Sequence, residues 1–137
     1  MDNLTGLIRV EYKDGYGMFI SKKKRYVLSD SESDKNILGN LWRKHSTWAP
    51  DGGFPIPYDD EKLDICWFNK KWFCAFKNKT IFKNWIDFNE FKELVKIGFK
   101  VFLLEVAEYQ EGKFQVLYTK ESVITSIDIT QELLINY

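Results

Sequence analysis

One stretch restricts the fold more than any other: residues 80–118, TIFKNWIDFNEFKELVKIGFKVFLLEVAEYQEGKFQVLY. Within it, Asp87 and Glu90 have the N-cap and N3 spacing of a capping box, with Asp in place of the more frequent Ser or Thr. Phe88, Phe91, Leu94 and Val95 then recur at three- and four-residue intervals, which places them on one face of a helix. Asn89, Lys92, Glu93 and Lys96 fall on the other face. Gly98 supplies a residue able to take the left-handed conformation at the helix end, with apolar Phe99 behind it. Thr80 is a candidate cap for a shorter helical turn carrying Ile81, Phe82, Trp85 and Ile86.

Residues 100–109 are rich in β-branched and aromatic side chains, and the run Val101-Phe102-Leu103-Leu104 suits a strand covered on both faces. Glu111-Gly112 reads as a turn. Beyond it, Phe114, Val116 and Tyr118 alternate with Gln115 and Leu117, so the two sets point to opposite sides of a strand. The expectation is a hairpin of 100–109 with 113–119, packed beneath the preceding helix.

A chain of 137 residues is long enough for one domain with a true core. We therefore expect a single compact domain over 1–137. Aromatic residues make up 17% of the chain, more than a core of this size needs, so some rings are expected at contact surfaces. The net charge is zero, but its distribution is uneven: residues 65–86 carry five lysines and no acid, whereas 105–137 carry six acids and two lysines. Such polarity predicts a two-faced domain. The opening MDNLTGLIRVEYKDG has neither the basic nor the apolar region of a secretory signal, and no run is long and apolar enough to span a membrane. A cytoplasmic protein with reduced thiols is the expectation.

Before the central stretch, 7–12 alternates as a first strand, and short strands are expected at 18–20 and 26–28. From Lys35, the pattern Ile37, Leu38, Leu41, Trp42, His45 fits a helix face, interrupted by Gly39. Residues 48–61 hold all three prolines and two adjacent glycines, which marks an irregular loop of a length often tied to function. Residues 63–68 and 71–76 read as strands. After the central stretch, 122–128 alternates as a last strand, followed by a frayed apolar tail at 133–135.

Chemistry-bearing residues are sparse. His45 is the single histidine, and with Asp51, Asp59 or Asp60 it has the residue types for acid–base work. One histidine among scattered carboxylates is a poor zinc set, so no metal is expected. Cys66 and Cys74 sit in ICWF and FCAF, surroundings typical of inert buried thiols. Glycine-rich phosphate-binding fingerprints and nucleophile elbows are absent from the sequence. The segment from Cys66 to Trp85 interleaves large rings with lysines, the composition that stacks on bases and holds phosphates, or that meets an acidic protein surface. Core rings with solvated lysines are the other reading of the same pattern.

The order of short motifs resembles that of small phage and mobile-element proteins. The motifs are Ile8-Arg9-Val10-Glu11, Asp14-Gly15-Tyr16-Gly17-Met18-Phe19, His45, Pro55 and Pro57 with Asp59-Asp60, Phe76, Trp85, Gly98-Phe99-Lys100-Val101, Glu105-Val106 and Gln115-Val116-Leu117-Tyr118. The resemblance implies a small α+β protein whose task is interference with host defence, of anti-CRISPR type. A fainter similarity is to ADP-ribosyltransferases. It would make Arg9 the first-strand arginine, put Gln115 where that family has its catalytic glutamate, and imply NAD as cofactor. An amide cannot ionise to stabilise the cationic intermediate of that chemistry.

Together these readings give an α+β domain with two or three helices on a mostly antiparallel sheet of about five to seven short strands. The leading functional expectation is a non-enzymatic binder with no cofactor. It would occlude a host protein, or a nucleoprotein complex, through Trp67, Lys70, Lys71, Trp72, Lys77 and Lys79, and direct nucleic-acid binding is compatible with the same residues. The rival is an NAD-using enzyme built on Arg9, His45 and Gln115.

Overall fold

The structure, a computed structural model, describes residues 2–12, 72–112 and 115–137. Their element order is β1 (Leu4–Glu11), β2 (Trp72–Phe76), α1 (Lys79–Trp85), α2 (Phe88–Lys96), β3 (Lys100–Val106), β4 (Tyr109–Glu111), β5 (Gln115–Thr119), a 3₁₀ turn (Lys120–Ser122), β6 (Val123–Asp128) and α3 (Thr130–Ile135). The strands form one six-stranded sheet in the order β4-β5-β2-β1-β3-β6, every neighbouring pair antiparallel. The expected α+β class, helix number and strand number all hold for these residues. The strands expected at 18–20, 26–28 and 63–68, the helix from Lys35 and the loop at 48–61 lie outside the described residues.

The capping signals of the central stretch act as their chemistry requires. The Asp87 carboxylate accepts from Glu90 N at 2.8 Å, and Glu90 accepts from Asp87 N at 2.9 Å. At the other end of α2, Gly98 has φ +110°, Gly98 N donates to the Val95 carbonyl and Phe99 N to the Leu94 carbonyl, which is the full Schellman pattern. The cap of α1 differs from expectation. Asn78, not Thr80, accepts from Ile81 N at 2.9 Å, because an amide oxygen one residue before Lys79 reaches the third helical N–H.

The expected hairpin is corrected. Strand 100–109 breaks at Ala107-Glu108, and β3 pairs with β1 and β6 instead of β5. The hairpin is the shorter β4–β5 pair, closed by Gly112 N donating to the Gln115 carbonyl at 2.8 Å. A short hairpin joined so closely to β3 forces the sheet to curl. In a flat sheet β3 and β4 would stand four strand spacings apart, ~19 Å. The three peptide steps from Val106 to Tyr109 reach no more than ~11 Å. The four steps from Thr119 to Val123 impose the same closure between β5 and β6. Ala107 N donates to the Ser122 carbonyl, and the Tyr109 hydroxyl donates to the Asp2 carbonyl, across the junction.

Two bulges bend the strands at this point. Leu4 and Leu7 of β1 pair with Val106 and Leu104, so β1 carries one extra residue, and Gly6 has φ +79° within the bulge. On the other side of β3, Ile124 is the extra residue between the pairs Val106–Val123 and Glu105–Thr125. Both irregularities flank fully buried Val106 and increase local strand twist where the curl needs it.

Alternation then distributes side chains between two cores. On one face, Ile8, Val10, Phe76 and Val101 pack under α1, α2 and α3 with Phe82, Trp85, Phe91, Leu94 and Leu133. Edge-to-face contacts join Phe76 to Trp85 at 5.1 Å and to Phe82 at 5.6 Å. On the other face, Leu7, Ala75, Leu104, Val106, Val116 and Tyr118 pack together. Strand β5 is therefore buried on both faces, and its alternation marks no exposed side. The tail expected to fray is α3, with Leu133 buried and Thr130 tied to β3 by Val101 N donating to its hydroxyl at 2.9 Å.

Candidate functional site

Of the residues expected at a recognition surface, Trp72, Lys77 and Lys79 are among the described ones. Trp72 opens β2 opposite Thr119, while Lys77 follows its last residue, five strand steps away or roughly 17 Å. Trp72 and Lys77 therefore stand at opposite ends of β2. Lys77 Nζ lies 2.9 Å from Glu111 and donates to the Gly112 carbonyl at 3.4 Å. Lys79 is 3.9 Å from Glu132, and Lys83 donates to the Tyr137 carbonyl at 2.7 Å. Carboxylates from the acid-rich C-terminal part thus neutralise described lysines of the acid-free part, a pairing that strand order creates and sequence distance conceals. Phe76, Phe82 and Trp85 are buried, so the rings of this segment that the structure describes belong mainly to the core. Trp67, Lys70 and Lys71 lie outside the described residues.

Of the residues of the alternative enzyme reading, Arg9 and Gln115 fall on opposite faces of the sheet. Gln115 pairs with Phe76, and Phe76 with Ile8, so these three share the helix-covered face. Arg9, next to Ile8, projects to the opposite face, above the Phe73 ring at 5.5 Å. The sheet does not bring Arg9 and Gln115 to a common face, and His45 lies outside the described residues. Arg9 is buried, donating to the Cys74 carbonyl at 2.7 Å and lying 3.3 Å from the Glu11 carboxylate. Nearby burial pushes the Tyr118 hydroxyl up to about 12, with the Arg9 charge acting against that rise. Gln115 accepts from the Cys74 thiol at 2.8 Å. This cluster joins strands β1, β2 and β5 through a half-buried thiol and a buried guanidinium.

The freest apolar side chains lie elsewhere. Strand β6 forms one edge of the sheet, and every residue from Ile124 to Asp128 is exposed, Ile124 at 51% and Ile127 at 54%. Ile135 on α3 is exposed at 78%. Lysine and ring patterns in the sequence carry no signal for these isoleucines. The available signal was that β6 alternates with an isoleucine on each side and so has no wholly polar face. Among the described residues no group of three or more His, Cys, Asp or Glu is placed to hold a metal ion, and no helix is long and apolar enough to cross a membrane.

These features define an α+β protein whose curled antiparallel sheet carries helices on one face and exposed isoleucines along one edge. Such an architecture provides a rigid platform and, by itself, no particular chemistry. The chain belongs to the bacteriophage T4 Y00F protein family, whose model matches residues 1–130. No curated protein sequence and no solved structure matches it. The resemblance to phage proteins is thereby established at the level of the family.

Proposed function

We propose that this phage-family protein is a non-enzymatic binder that acts by covering a surface of a host defence or nucleic-acid-handling protein, in the manner of an anti-CRISPR inhibitor. The observation that carries this reading is the set of exposed isoleucines on a sheet edge whose interior is fully packed. Apolar side chains held in water by a rigid scaffold gain most from desolvation by a partner. The reading uses no cofactor. Trp67, Lys70, Lys71 and Trp72 are kept as a second candidate contact on their sequence pattern of rings and lysines. Lys77 and Lys79 contribute less, because exposed ion pairs leave little charge free for a partner.

Affinity capture from host lysate tests the proposal, comparing the wild-type chain with a variant in which the two exposed β6 isoleucines are reversed in polarity, Ile124→Lys/Ile127→Lys. The expected result is a specific host protein retained by the wild type and lost or weakened in the reversed variant, with unchanged circular dichroism. No retained protein, or recovery of nucleic acid alone with affinity falling steeply as salt rises, overturns occlusion of a protein surface.

A further inference from the structure

We draw no further inference here: the strongest candidate, the outer edge of β6 with its exposed Ile124 and Ile127, belongs to the site already described, and nothing in the structure shows what covers it.

Discussion

Removing the Tyr137 ring should loosen the seam between α1 and α2 more than any other change at the exposed rim of the core. The ring is stacked on Phe91 at 5.3 Å, tilted against Phe88 at 5.3 Å and edge-on to Phe82 at 6.0 Å. Its hydroxyl donates to the carbonyl of Ile86, the residue that ends α1, and Lys83 lies over the ring at 5.4 Å. Tyr137→Phe deletes the hydrogen bond and leaves a carbonyl of a buried residue short of a donor, a loss of about 1–2 kcal/mol. Tyr137→Ala also uncovers ~100 Å² of apolar surface, roughly 2.5 kcal/mol at the usual coefficient. The total for Ala is about 4 kcal/mol. Urea unfolding followed by tryptophan fluorescence reads both, since Trp85 packs in this core. With an m-value of about 2 kcal/mol/M, the midpoint should fall by about 0.5–1 M for Phe and about 2 M for Ala. A shift below about 0.5 M for Ala would refute the view that this ring holds the two helices together. The same burial raises the Tyr137 pKa, so Tyr137→Phe should also reduce the loss of stability at high pH.

Other consequences follow from particular residues. Burial pushes the Tyr118 hydroxyl up to about 12, above the ordinary tyrosine value of about 10, so its contribution is fully present below about pH 10 and is lost as pH rises through the folded value. The unfolded chain releases that proton first, and stability should fall by up to about 3 kcal/mol across this window in alkaline titrations at 295 nm. Gly98→Ala places a side chain at φ +110° with its Cβ 3.4 Å from the Tyr12 ring. It should cost about 1–2 kcal/mol by thermal unfolding. Asp87→Ala removes the acceptor for Glu90 N and should destabilise by about 1 kcal/mol, with Asp87→Ser retaining most of the stability.

What the sequence determined by itself was local. Asp87, Glu90 and Gly98 fix the ends of α2 because capping depends on atoms within a few residues of one another. Alternation likewise marked strands near 7–12, 71–76 and 122–128. The pairing of those strands was decided only by tertiary structure, because a hydrogen-bond ladder joins residues that no local pattern connects. That is why β3 turned from its expected partner β5 to β1 and β6, and why β5 became buried on both faces. Charge followed the same division. The lysines of 65–86 are an excess in the chain, yet Lys77 and Lys79 meet Glu111 and Glu132 in space, since Coulomb attraction depends on distance through the fold. The exposed isoleucines of β6 became visible as a surface only when the sheet order put that strand at the edge.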